Sequence, residues 1–174
     1  IQTFKTRYEG KQKTTKLSYY SPRTNPDDKS ILSLIDILRN SSKPIFYVGG
    51  GVINSGSAAS KSLFRLVKKT GFPCTQTLMG LGAFPTSDPQ ALGMLGMHGT
   101  YESNLAMHQC DLMICVGARF DDRITGKISG FSPNSKKVHI DIDTSSFNKS
   151  VNVDLTIHGD INKAVNKILN FIEI

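Results

Sequence analysis

The chain is poor in the patterns from which most catalytic and metal sites are built. Its cysteines number three, Cys74, Cys110 and Cys115. That odd count without C-x-x-C spacing excludes a disulfide framework or a zinc knuckle and predicts three small buried apolar side chains. Four histidines at irregular spacing form no metal-ligand set. Neither a nucleophile elbow nor a phosphate-binding P-loop occurs. No apolar run approaches the roughly 18 residues that span a bilayer, and Ile1 opens a polar, basic stretch unlike a signal peptide. These absences suit binding better than acid, base or nucleophilic chemistry, in a reducing, cytoplasmic compartment. The missing initiator Met suggests a fragment or a processed product.

Acidic residues are also scarce, 14 against 21 lysines and arginines, for a formal net charge of +7. The excess is unevenly spread. Lys5, Arg7, Lys11, Lys13, Lys16 and Arg23 face only Glu9 in residues 1–23, a net of +5, which leaves +2 for the remainder. Basicity confined to a tail is not a basic face, so neither a nucleic-acid nor a membrane partner is expected.

What is present is alternation of strand and helix patterns. Residues 1–28, rich in Lys, Thr, Ser, Tyr and Pro, show no apolar repeat and read as a linker; residues 29–174 then form one domain, long enough for a real core. Ile31, Leu34, Ile35 and Leu38 make one face of a helix ending near Asn40, with Asp28 or Ser30 able to cap it. PIFYV at residues 44–48 and LMICV at 112–116 are continuous apolar strands, the kind a parallel sheet covered on both faces requires. Further strands fall at 73–75, 137–142 and 155–157. Helices begin at Ser55 or Ser57, run over about 101–108, and start after Asp160 with Ala164, Val165, Ile168 and Leu169 on one face. The pattern predicts an α/β domain with a doubly wound, mainly parallel, Rossmann-like sheet.

In such a sheet ligands lie outside the carboxyl ends of the strands, and the informative loops stand there. GGGVINSG follows the first strand: it lets a phosphate approach the backbone, or is an ordinary tight turn, and the dinucleotide fingerprint G-x-G-x-x-G fails at Asn54. Arg119, Asp121, Asp122 and Arg123 follow LMICVGA, where an Arg fork suits a phosphate and a solvated loop is the plainer reading. Asp141 and Asp143 end the strand HIDID, placed to accept from ribose hydroxyls or to cap the next short helix. Asp160 reads locally as a cap. His98, in a Gly-rich loop, is available to a ligand, whereas His108 and His139 read as structural.

TLMGLGAFP, GMLGMHGTYESNLAMHQCD, VGARFDDRITGK and HIDID together resemble the central domain of the acetolactate synthase family, also called acetohydroxyacid synthase. The resemblance covers residues 43–174. It implies a thiamin-diphosphate- and magnesium-dependent parent that decarboxylates pyruvate and joins the two-carbon unit to a second small 2-oxo acid, at the start of branched-chain amino acid synthesis. It implies that thiamin diphosphate and magnesium sit in flanking domains of the same subunit, that the parent forms a homo-oligomer and takes a regulatory subunit, and that it works in the cytoplasm, or in the plastid stroma of a photosynthetic eukaryote. For the domain itself it implies bound FAD, with no net redox role in acetolactate formation.

Carried over residue by residue, the resemblance implies FAD contacts at Gly49, Gly50 and Gly51, at Thr77, Leu78 and Met79, at His98, Gly99, Gly117, Arg119 and Asp121, and at Asp141, Ile142, Asp143, Gly159 and Asp160. Met97, His98, Asp122 and Arg123 match positions that line the substrate channel, and no catalytic residue falls in this chain. The HGDIN stretch lacks the Gly-Asp-Gly of the family's magnesium motif. An Arg that precedes the domain in relatives, also a flavin contact, is not recognisable in this sequence. A free-standing nucleotide-binding oxidoreductase domain is the alternative.

The chain alone is therefore expected to retain FAD weakly or not at all through purification and to form no acetolactate from pyruvate. A flavin band at about 450 nm in the purified chain, or robust acetolactate formation, contradicts this.

Overall fold

Six strands, β1 (Pro44–Val48), β2 (Cys74–Gln76), β3 (Ala91–Met94), β4 (Leu112–Val116), β5 (Lys136–Asp141) and β6 (Leu155–His158), form one all-parallel sheet in the order β3-β2-β1-β4-β5-β6. Among the described residues six α-helices connect and cover them: α1 (Asp28–Arg39), α2 (Gly50–Asn54), α3 (Ser57–Thr70), α4 (Tyr101–Gln109), α5 (Asp122–Thr125) and α6 (Ile161–Glu173). The structure is a computed structural model and describes residues 24–173. Most of the expected linker, residues 1–23, lies outside the described residues.

The central strands explain the arrangement. Every residue of β1 and of β4 is buried, and they pair in register from Pro44 with Leu112 to Val48 with Val116. A strand buried on both sides needs cover on both sides. On one face Phe46, Val48, Ile114 and Val138 pack against Ile31 and Leu34 of α1, Leu63 and Leu66 of α3, and Val165 and Ile168 of α6. On the other, Ile45, Tyr47, Met113 and Cys115 meet Met107 of α4 and the loop residues Phe120 and Phe131. All three cysteines are free and buried, as small apolar residues would be, and burial pushes the Cys74 thiol up to about 12.

The structure corrects several boundaries. Asp27, not Asp28 or Ser30, caps α1, its Oδ1 accepting from the Ser30 N–H at 2.8 Å. Residues 24–27 are not free linker: Pro26 is buried, and the Thr24 carbonyl accepts from the Asp160 N–H at 2.9 Å. Of the two expected starts of the next helix, Ser57 is the one α3 uses, while the glycine run is more than a tight turn, since the short α2 forms within it and Gly56, at φ 98°, separates it from α3. The edge strand β3 went unread because it is short and contains Gly93 at φ 88°. Its exposed side is blocked from pairing with another chain: the Leu92 carbonyl accepts from Thr100 Oγ1 and Ser103 Oγ, each at 2.7 Å.

Ile114, at the centre of β4, contacts the main core and is 1% exposed. Replacing it with Ala is expected to lower unfolding stability by about 2–5 kcal/mol, read as a fall in the urea midpoint with an unchanged slope.

Candidate functional site

From β1 the chain winds outward through β2 to β3, then returns to lay β4 along the opposite side of β1. Strand order therefore reverses between β1 and β4. In an open α/β sheet the space outside their carboxyl ends is the ligand crevice.

Glycines build its floor, for a reason different from the one the sequence suggests. The Gly49 N–H donates to the Val116 carbonyl and the Gly51 N–H to the Gly117 carbonyl, each at 2.9 Å. A Cβ on Gly49 would lie 2.2 Å from the Gly117 carbonyl oxygen, and one on Gly51 2.8 Å from the Gly117 Cα. Gly117 itself is left-handed at φ 62°, and a Cβ there would meet Ile161 Cδ1 at 2.4 Å. The missing side chains thus let the ends of β1 and β4 touch each other, with α6 behind them. Gly50 faces Met79 in the same way, and a Cβ on Gly80 would meet the Val48 carbonyl oxygen at 2.5 Å. Gly159 is held open by Pro26, 2.8 Å from where its Cβ would be.

On the β2 side, the Thr77 N–H donates to the Val48 carbonyl at 2.8 Å and Thr77 Oγ1 accepts from the Gly80 N–H at 3.0 Å. This short turn sets Leu78 and Met79 at the strand ends, 68% and 76% exposed. Beyond β3, Met97 and His98 are exposed in a turn closed by a bond from the Gly99 N–H to the Gly96 carbonyl at 2.9 Å. The Met97 N–H reaches the Arg123 carbonyl at 3.3 Å, so residues 97–98 and 122–123 form one rim.

The charged loop after β4 is anchored by an apolar residue. Phe120 is buried between Tyr47, Phe131 and His139, with ring centroids 5.3–6.0 Å apart, which turns Arg119 and Asp121 on either side of it outward. The Arg119 carbonyl accepts from the buried Tyr47 hydroxyl at 3.4 Å and the Asp121 N–H at 2.9 Å. Hydrogen bonding with the Asp122 side chain, then with the Arg123 N–H, holds the Asp121 carboxyl below its ordinary range. Arg123 and Asp122 form an exposed ion pair at 3.9 Å, a contact of little energetic weight.

The acidic residues serve as caps as well as candidates. Asp143 Oδ1 accepts from the Ser145 N–H at 3.0 Å, and bonding to Ser145 draws its carboxyl below the usual range. Asp141 Oδ1 accepts from the Asp143 N–H at 2.9 Å, and the Asp141 carbonyl takes the Gly159 N–H at 3.0 Å, which joins the ends of β5 and β6. Between them Ile142 is 39% exposed. Asp160 Oδ1 caps α6 through the Lys163 N–H at 3.1 Å, while Oδ2 accepts from Ser55 Oγ at 2.7 Å. The local reading of Asp160 as a cap is what the geometry displays.

His139 is fully buried, edge-on to Phe120 and Phe147, with Asp141 Oδ2 3.7 Å from Nε2, beyond hydrogen-bonding range. It is a core residue, whereas His108 is exposed on α4. Among the described residues no group of three or more His, Cys, Asp or Glu is placed to hold a metal, and no helix is long and apolar enough to cross a membrane. The roles of Tyr47, Phe120, Ser55 and Asn104 in positioning the loops escaped the sequence reading, which met Ser55 only as a possible helix start. Only Phe120, an aromatic inside a charged run, left a local signal.

The chain matches the family described as "Thiamine pyrophosphate enzyme, central domain" over residues 31–168. It is 44% identical over 153 residues to the acetolactate synthase large subunit of Buchnera aphidicola subsp. Schlechtendalia chinensis, covering 88% of this chain and 26% of that protein. The acetolactate synthase isozyme 3 large subunit of Escherichia coli (strain K12) is 42% identical over 153 residues, with 88% and 26% covered. The chloroplastic acetolactate synthase of Arabidopsis thaliana is 43% identical over 147 residues, with 83% and 21% covered. The chain thus spans about a quarter of the length of these relatives.

Because backbone atoms bound the space at Gly49, Gly49→Ala is expected to cost about 3 kcal/mol or more, while Gly130→Ala, which meets open space, stays within about 0.5 kcal/mol. Equal thermal midpoints for the two variants contradict the packing role.

Proposed function

The chain belongs to the thiamine pyrophosphate enzyme family as its central domain, and on that premise we propose that its strand-end crevice binds FAD within an acetolactate synthase. The observation that carries the reading is the make-up of the crevice. A glycine-lined floor at the β1–β4 reversal is flanked by the exposed apolar side chains of Leu78 and Met79 and by the outward-turned Arg119. Those residues fit a ligand with a flat ring system and a diphosphate.

In this reading Arg119 pairs with the diphosphate, and residues 49–51, 77–79 and 98–99 follow the length of the cofactor. Asp141 accepts from the adenosine ribose, beside Ile142, Asp143 and the turn at Gly159. Asp160 contributes through its cap geometry, since both of its oxygens already have protein donors. Bound FAD supplies no net redox chemistry to acetolactate formation; its contribution is to order the loops that it joins.

Met97, His98, Asp122 and Arg123 form the outer rim, which faces a channel completed by flanking domains of the same subunit. Thiamin diphosphate and magnesium belong to those flanking domains, where pyruvate is decarboxylated and the two-carbon unit passes to a second 2-oxo acid. The parent is a homo-oligomer with a regulatory subunit, working in the cytoplasm or the plastid stroma. The similarity to acetolactate synthase large subunits supports this reading over a free-standing oxidoreductase domain.

Titration of the chain with FAD, followed by flavin fluorescence, is expected to give weak saturable binding, with riboflavin, which lacks the diphosphate, binding less tightly. Arg119→Ala is expected to weaken FAD by roughly tenfold or more and leave riboflavin unchanged. Equal loss for both ligands contradicts the diphosphate role of Arg119.

A further inference from the structure

We propose that Asn104 is the positioning residue of the channel rim, holding the Met97–His98 turn in register with Arg123. The inference rests on the functional reading above for the rim's role, and on geometry alone for the clamp. Asn104 stands on the first turns of α4, where its exposed side chain has no core to fill. Asn is a poor helix former because its amide competes for backbone groups, and here it does so across to another loop.

The contacts converge on one residue. Asn104 Oδ1 accepts from the Gly96 N–H at 3.2 Å, and Asn104 Nδ2 donates to the Gly96 carbonyl at 3.1 Å and to the Thr100 carbonyl at 3.0 Å. A single primary amide therefore engages both backbone polar groups of Gly96. Gly96 is the first residue of the turn whose corners are Met97 and His98, closed by the Gly99 N–H on the same Gly96 carbonyl.

Gly96 also sets the spacing to the second half of the rim. At φ 103° it has no room for a side chain, because a Cβ would lie 2.8 Å from Ile124 Cδ1 and 2.9 Å from the Arg123 carbonyl oxygen. The next residue, Met97, donates its N–H to that same Arg123 carbonyl. Fixing Gly96 thus fixes both where Met97 and His98 point and how far they stand from Asp122 and Arg123. Among the described residues, Asn104 is the side chain that hydrogen-bonds Gly96.

The decisive variant is Asn104→Asp. At neutral pH its carboxylate keeps an acceptor for the Gly96 N–H but turns a second lone pair toward the Gly96 carbonyl. Protonation restores a donor and an acceptor in the amide's place. Asn104→Ala removes both, and Gln109→Ala, exposed at the far end of the same helix, is the control.

In the full chain, amide exchange at residues 97–99 is expected to accelerate roughly fivefold to tenfold in Asn104→Ala and Asn104→Asp at pH 7, the scale of one or two lost hydrogen bonds. Exchange in β4 and in Gln109→Ala is expected to match wild type. FAD binding should weaken by a similar factor in both Asn104 variants. As the pH falls to about 3, below the ordinary Asp carboxyl value of about 3.9, Asn104→Asp alone should return towards the wild-type ratio. Wild type measured in parallel at each pH accounts for the charged groups around the rim, His98, His108, Asp121, Asp122, Arg123 and Lys127. Unchanged exchange at residues 97–99, equal acceleration in β4, or an Asp variant that follows Ala at every pH overturns the clamp. Failure of the wild-type chain to bind FAD at any concentration sinks the cofactor reading instead, and the exchange and its pH rescue then decide the clamp without it.

Discussion

The ends of β1 and β4 cross at a distance that no side chain survives, and the rest of the site is arranged around that contact. Gly49 lies against the Gly117 carbonyl and Ala118, Gly51 against Gly117, and Gly117 against Ile161 of α6. Where strand order reverses, the two loops leave towards opposite faces of the sheet, α3 packing on one and Phe120 on the other, so that only their first residues meet. The closer they pass, the more backbone and the less side chain forms the floor between them. Glycine here is first a requirement of chain packing. In the proposed reading the half-buried Gly50 and Gly51 also leave backbone against which a large ligand can lie.

The remaining loops are tied to this junction in sequence. The Thr77 N–H bonds to Val48, bringing Leu78 and Met79 in from β2, and the Met97 N–H bonds to Arg123, joining the β3 loop to the β4 loop. Ser55, just beyond α2, donates to Asp160 at the head of α6, which ties the β6 end to the β1 end. The result is a ring of loops with few independent movements, each held by one or two polar bonds. Such bonds are individually modest, so the arrangement is easily loosened at the rim and hard to disturb at the glycine floor.

Much of this was legible in the residues. The apolar runs PIFYV and LMICV required a doubly covered parallel sheet, and the sheet has them at its centre. The loop strings carried the family, which the comparison over residues 31–168 bears out. What stayed hidden was whatever depends on a distant partner. Gly159 reads as a ligand-facing glycine until Pro26 is seen beside it, and Asp160 reads as cap or contact until Ser55 supplies its second donor. β3 is too short, and too interrupted by Gly93, for periodicity to register. Asn104 sits in an ordinary helical position, and nothing local shows that its amide reaches Gly96.

One continuous strand-end surface, rather than either of two hollows elsewhere among the described residues, is the proposed seat of the cofactor. One hollow, of about 280 Å³, lies at the opposite end of the sheet among Leu38, Thr70, Phe72 and Phe171; the other, of about 270 Å³, lies behind the rim among Met107, His108, Lys127 and Phe131. Backbone amide shifts of the labelled chain titrated with FAD distinguish these sites. Perturbations are expected to trace residues 49–51, 77–79, 96–99, 117–121, 141–143 and 159–160 as one connected band. Perturbations centred on either hollow, with residues 49–51 and 117–119 unmoved, would contradict it.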